Sequence, residues 1–248
     1  MWTYFAVFFA ILLLLGVFIK RVYLTLTFKE EAEKKNLEEE IEEYVEDVDK
    51  KKISRDDKKR IAELDAEAED HVKAGNEDEA IKCLVQVLAI DAAHLEAKRK
   101  LAILYMHKEM YAQASALLKE LAGFDEDSVH YSNLGLALYK QNLFEEAKEA
   151  YQKAVSLDPS RPQRFISLTQ VYRSLELPSL AIIAVGKAIE LEPANIDYLF
   201  LLADIYVEMG YEDEAKAILN FILEKEPENK MARELIRGMK AKKEAGEK

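Results

Sequence analysis

Pro159, Pro193 and Pro227 stand 34 residues apart, and the same interval separates Ala147, Ala181 and Ala215, and also Leu134, Leu168 and Leu202. Tyr172 and Tyr206 keep it too, with Leu138 one interval earlier. Independent registers that share one interval define a tandem repeat, and a unit of that size is a supersecondary motif that cannot bury its apolar face alone. Such a chain must stack its units into a solenoid in which each unit touches only its neighbours. The frame continues upstream. Leu101, Ala102, Tyr105 and Ala114 fill the equivalent places after a one-residue shortening. Gly75 and Ala80 enclose Asn-Glu-Asp-Glu, as Gly210 and Ala215 enclose Tyr-Glu-Asp-Glu. Five units follow, 61–94, 95–127, 128–161, 162–195 and 196–229.

Each unit reads as two helices. In the third, Tyr131, Leu134 and Leu138 mark one face of the first helix, and Ala147, Tyr151, Ala154 and Val155 mark the second. These are the i, i+3, i+4 and i+7 spacings of amphipathic helices. Gln141-Asn142-Leu143 makes the turn between them, and Gly75 and Gly210 occupy its equivalent elsewhere, where glycine permits the left-handed conformation that ends a helix. Ala102, Gly135 and Ala203 on first helices, and Ala154 and Ala188 on second helices, let helices pack closely. The terminal prolines stop each second helix, because proline lacks an amide hydrogen and restricts the residue before it. Pro178 falls near the start of a second helix, where proline is tolerated. With only eight glycines and five prolines, the chain lacks the turn residues of a strand-rich fold. The predicted fold class is all-α.

The pattern resembles the tetratricopeptide repeat, whose period is 34 residues, over about residues 61 to 229. The first unit departs from it: His71 replaces the usual tyrosine and Glu67 the usual leucine, although Ala68 keeps the small residue. The second unit lacks its terminal proline. The resemblance implies a right-handed α-solenoid of about five helix pairs. Residues 230–248 are then a polar capping helix and tail, with Met231, Leu235, Ile236 and Met239 covering the last core layer. It also implies a concave groove lined by the first helix of each unit. Mapped onto this sequence, that lining is Arg99, Ile103 and Met106 from the second unit and Ser132, Leu136 and Tyr139 from the third. The fourth supplies Ile166, Gln170 and Arg173, and the fifth Phe200, Asp204 and Glu208. The groove is then apolar and aromatic at its middle, with Arg99 and Arg173 as anchors and acid at its C-terminal end. It is expected to hold an extended or helical peptide of a protein partner. Some members of the family grip a C-terminal carboxylate with paired Lys and Asn residues, a set this sequence lacks.

Residues Trp2 to Ile19 form an unbroken uncharged run of eighteen. As a helix they rise roughly 27 Å, close to a hydrocarbon core of about 30 Å. Trp2 and Tyr4 sit at one end, where amphipathic rings prefer the interface, and Lys20 and Arg21 close the other. Residues 1–28 are thus expected to be a transmembrane anchor. The positive charges after the run place the N-terminus outside and the repeats in the cytoplasm, as a single-pass membrane protein. A cleaved signal peptide would carry its charge before the apolar core. An anchor with the solenoid on the other side of the membrane is the remaining alternative. Residues 29–60 form a charged helical spacer, in which residues 30–49 hold eleven acids against two lysines. Leu37, Ile41, Tyr44 and Val48 make a heptad-like seam within it, which fits a weak homo-oligomer or, as two heptads favour, a solvated spacer. The layout is similar to that of bacterial assembly factors such as lipopolysaccharide assembly protein B, without the paired-cysteine metal-binding module of that family.

The formal net charge is −12, which repels a phosphate backbone, so no nucleic acid is expected as a partner. The single cysteine, Cys83, excludes a disulfide within the chain and a thiolate zinc cluster. His71, His94, His107 and His130 are scattered and read as ordinary helix residues. No glycine-rich phosphate loop, GxSxG, HExxH or CxxC motif occurs. No enzyme activity, cofactor or metal is expected. The functional expectation is a membrane-anchored scaffold that recruits or assembles a membrane-associated complex through protein contacts. The alternatives are an extracytoplasmic or organellar assembly factor or receptor, or a regulatory subunit of an enzyme.

Overall fold

The computed structural model of the chain describes residues 53–246. The expected anchor around Trp2, Tyr4, Ile19, Lys20 and Arg21, and the seam of Leu37, Ile41, Tyr44 and Val48, lie outside the described residues. Among the described residues, no helix is long and apolar enough to cross a membrane. The chain divides into two compact units, Met1–Lys58 and Lys59–Lys248. Of the first, the start of one helix is described. Ser54 Oγ accepts the Asp57 amide at 3.0 Å while Asp57 Oδ2 accepts the Ser54 amide at 3.3 Å, a reciprocal capping box. This cap starts α1 (Arg55–Lys73) inside the segment 29–60 expected to be spacer.

The second unit is all helix among its described residues. After α1 come α2 (Glu77–Ile90), α3 (Leu95–His107), α4 (Tyr111–Phe124), α5 (Ser128–Lys140) and α6 (Phe144–Leu157). Then follow α7 (Pro162–Ser174), α8 (Pro178–Leu191), α9 (Ile196–Glu208), α10 (Glu212–Lys225) and α11 (Lys230–Gly246). From α2 onward each helix packs on the next, and the first helices α5 and α7 also touch each other. The result is an α-solenoid of helix pairs closed by α11.

One turn recurs between the two helices of every pair. Gly75, Glu109, Asn142, Glu176 and Gly210 all have positive φ, between 56° and 78°. Each amide just after them reaches back five residues: Asn76 to His71 O, Met110 to Tyr105 O, Leu143 to Leu138 O, Leu177 to Tyr172 O and Tyr211 to Tyr206 O, at 2.8–3.0 Å. The left-handed residue itself donates three residues back, as Glu176 does to Arg173 O at 3.0 Å. This is the Schellman closure, which satisfies carbonyls the helix would otherwise leave open. Sequence composition revealed it only where glycine or asparagine stands; Glu109 and Glu176 adopt it against their own preference.

The core is a set of parallel files. Ala80, Ala114, Ala147, Ala181 and Ala215 of the second helices are fully buried, as are Ala68, Ala102, Gly135, Thr169 and Ala203 of the first. Thr169 stands where a small apolar residue is expected, and its hydroxyl is satisfied by donating to Phe165 O at 2.8 Å. Gly135 is forced by its neighbour. A Cβ there would lie 2.8 Å from Cγ and Cδ2 of Tyr151, whose ring fills the place that Leu84, Leu118, Val185 and Leu219 fill in the other pairs. On α11, Ala232 and Met239 are buried and Leu235 and Ile236 half-buried. Met231, expected to cover the core, is exposed instead, because Ala232 takes the inward position one residue on.

Candidate functional site

Because the pairs repeat, one helical position recurs along the solenoid as a file of neighbouring side chains. Glu69, Ile103, Leu136, Gln170 and Asp204 form one such file on α1, α3, α5, α7 and α9, and all five are exposed. Ile103 is 49% exposed and Leu136 38%, at the same helical position in consecutive repeats. The adjacent file is Val72, Met106, Tyr139, Arg173 and Val207, of which the middle three are half-buried and the ends exposed. A third file holds Arg99, Ser132 and Phe200, all half-buried. Ile166, expected in the groove from the same file, is 7% exposed and belongs to the core, so it is not available to a partner.

Tyr139, Gln170, Arg173, Ser174 and Glu208 line a cleft of about 330 Å³ on the first helices α5, α7 and α9. Arg173 does not stand free in it. Its Nε donates to Glu208 Oε2 at 3.2 Å and its Nη2 to Glu208 Oε1, a bidentate clasp between α7 and α9. Ser174 Oγ approaches the Tyr139 hydroxyl at 3.4 Å. Glu208 lies one residue past the repeat register, which Val207 occupies; it enters the cleft because Arg173 draws it there. Arg99, the other expected anchor, is likewise engaged, donating to Asp125 Oδ2 at 2.8 Å and to Glu96 Oε2 at 3.5 Å. Burial raises the Asp125 carboxyl, but hydrogen bonds from His130 and Arg99 outweigh it and hold the group below its ordinary range.

Ser132 is engaged as well, by a residue that periodicity did not single out. Arg164, 5% exposed, donates through Nε to Ser132 Oγ at 3.0 Å and through Nη2 to Ser128 Oγ at 2.9 Å. Its Nη1 meets Asp158 O at 2.7 Å and Asp158 Oδ2 at 2.5 Å. Hydrogen bonds from Ser160 and then Arg164 hold the Asp158 carboxyl far below its usual range. The arginine thus joins α5, the end of α6 and α7 through one guanidinium. A charged residue in a core file was the only sequence signal for it.

The remaining chemistry-bearing residues have structural roles. His94 is not an ordinary helix residue but the N-cap of α3, its Nδ1 accepting the Ala97 amide at 3.1 Å. His130 is buried against Asp125 Oδ1 at 2.8 Å. Cys83 is buried, and burial, then Glu67 and Glu79, push its thiol up. Among the described residues, no group of His, Cys, Asp or Glu is arranged to hold a metal ion.

Comparison with known proteins agrees with this architecture. Models of the tetratricopeptide repeat match residues 71–137, 129–161 and 196–224. A crystal structure of MamA is similar at 28% identity and a TM-score of 0.61, over 64% of this chain and 94% of that one. Protein O-mannosyl-transferase TMTC3 of Homo sapiens is 34% identical over 104 residues, 41% of this chain and 11% of that protein. The peroxisomal targeting signal receptor of Komagataella phaffii is 36% identical over 74 residues, 30% of this chain and 13% of the receptor. The chain therefore spans little more than a tenth of these two curated relatives. Residues 162–195 fall outside the repeat matches, although α7 and α8 form the same helix pair with the same Schellman turn. Residues 71–161 and 196–224 thus match tetratricopeptide repeats, and the same helix-pair geometry runs through both in an α-solenoid of the described residues.

Proposed function

We propose that the chain is a non-catalytic, membrane-anchored scaffold that holds a segment of a partner protein against its first helices. The observation that carries this is the pair of adjacent files on α3, α5 and α7. There exposed Ile103 and Leu136 stand beside half-buried Met106 and Tyr139, next to a cleft rather than under a neighbouring helix. Aliphatic side chains exposed at one helical position in consecutive repeats gain contact area when a partner covers them. A relative that is a receptor for a peroxisomal targeting signal is consistent with peptide recognition by repeats of this type. The second helices also expose apolar side chains, such as Ile183 at 61% on α8, and so provide the contrasting face.

The anchor is residues 2–19, with the repeats in the cytoplasm, as the uncharged run and the basic residues after it support. The test is photocrosslinking in native membranes, with a crosslinking side chain at Leu136 or at Ile183 and identification of the captured protein. Capture from Leu136, lost when Ile103 and Tyr139 are both replaced by serine, is expected; capture from Ile183 alone would move the function to the other face. Alkaline carbonate extraction of the full chain, compared with one lacking residues 1–28, checks the anchor. Buried Cys83 is a poor thiol for topology labelling. Ser156→Cys, on the exposed side of α6, serves that purpose, and labelling by an impermeant reagent in intact cells would overturn the cytoplasmic assignment.

A further inference from the structure

The first-helix face changes character along the solenoid. Ile103 and Leu136 are exposed and aliphatic, Gln170 follows, and Asp204 closes the same file. The arginines that by type would select an acidic partner are engaged within the chain, Arg99 by Asp125 and Glu96, and Arg173 by Glu208. A bidentate arginine–carboxylate pair presents little net charge to an incoming group. Asp204 makes no ion pair among the described residues and stands one helical turn before Glu208, whose charge Arg173 already answers. The field of a chain with net charge −12 favours cations further.

We propose, resting on the assignment of this face as the binding face, that its partner is a polypeptide segment with aliphatic side chains followed by a basic residue. The aliphatic side chains lie on Ile103 and Leu136, and the lysine or arginine meets Asp204. An acidic group placed at Asp204 would face that unpaired carboxylate, and would reach the Arg173 guanidinium only by displacing Glu208. A basic segment enters with the arginine pairs intact, gains the Asp204 charge and covers the exposed aliphatic side chains. Selection of this kind works by repelling the wrong partner as much as by attracting the right one.

The test uses fluorescein-labelled dodecapeptides titrated into the full chain held in nanodiscs of neutral lipid, read by fluorescence anisotropy at physiological ionic strength. One peptide carries leucines at alternate positions followed by two lysines. The second ends in two glutamates instead, and the third replaces the leucines by serines. The leucine–lysine peptide is expected to bind about tenfold tighter than either of the others. Asp204→Asn weakens it about threefold, the size of an exposed ion pair. Glu190→Gln, which removes the same charge from exposed α8, leaves it unchanged. Leu136→Ser weakens it about tenfold with an unaltered circular dichroism spectrum. Equal or tighter binding of the glutamate peptide, binding of none of the three, or equal effects of Asp204→Asn and Glu190→Gln would overturn the proposal. If lysine preference is absent but Leu136→Ser still weakens binding about tenfold, the partner chemistry falls and the face stands. Binding indifferent to Leu136→Ser removes both.

Discussion

Replacing Gly135 by alanine sets two physical effects against each other. Intrinsic helix propensity alone favours alanine over glycine inside a helix by about 1 kcal/mol. The packing of α5 on α6 argues the opposite. The added Cβ would lie 2.8–2.9 Å from Cγ, Cδ2 and Cε2 of Tyr151, and Cγ is the root of the ring, so no rotation of a flexible end relieves it. Tyr151 is itself 4% exposed, so the ring has nowhere to move without shifting α6. Overpacking of this kind costs about 1–3 kcal/mol, and the upper half of that range applies when three ring carbons are struck at once. The expected net result for Gly135→Ala is a destabilisation of about 1–2 kcal/mol. In the background of Tyr151→Leu, which recreates the Ala102 and Leu118 combination of the preceding pair, the same replacement should stabilise by about 1 kcal/mol. The two changes should therefore couple by about 2–3 kcal/mol in a double-mutant cycle. Urea unfolding of the full chain and the three variants, followed by circular dichroism at the helix band, measures it. Stabilisation by Gly135→Ala in both backgrounds, with no coupling, would show that helix propensity and not the ring decides this position.

Arg164→Ala should destabilise by about 3 kcal/mol and Arg164→Lys should restore little of it, since an ammonium cannot reach Ser128, Ser132 and Asp158 together; the same urea titration reads both. Glu176→Gly should stabilise by about 0.5–1 kcal/mol, as relief of the left-handed strain exceeds glycine's extra chain entropy, whereas Gly210→Ala should destabilise by a similar amount; thermal unfolding midpoints check the opposite signs. Burial pushes the Tyr151 phenol up to about 12 from its ordinary 10. The unfolded chain releases this proton first, so the stability tied to the neutral phenol is full below pH 10. It falls by about 2–3 kcal/mol as pH rises to about 12. Tyr151→Phe should remove that part of the alkaline loss, and an unchanged slope of stability against pH in this range would refute the assignment.

The period of Pro159, Pro193 and Pro227 made the stacking of helix pairs legible in the sequence, because a repeat that cannot fold alone must stack. The files of Ala147, Ala181 and Ala215, and the turns at Gly75 and Gly210, were equally legible, since small and left-handed positions restrict residue type. The turns at Glu109 and Glu176 were not, because the five-residue return hydrogen bond imposes the conformation whatever the side chain. The candidate site was only half legible. The resemblance to the repeat family implied a common face for Ile103, Leu136, Gln170 and Asp204, and in the structure they are exposed at equivalent positions of α3, α5, α7 and α9. Spacing could not show that Ile166 turns into the core or that Arg164 holds three helices together, since rotation within a file depends on the neighbouring repeat. Nor could it show that Arg99 and Arg173 are already answered by Asp125 and Glu208, residues 26 and 35 positions away. Periodicity is a property of local helix geometry and can be read along the chain. Ion pairing and ring-against-glycine packing are properties of helices brought together from separate repeats, and they decide which side chains of the repeat remain free to meet a partner.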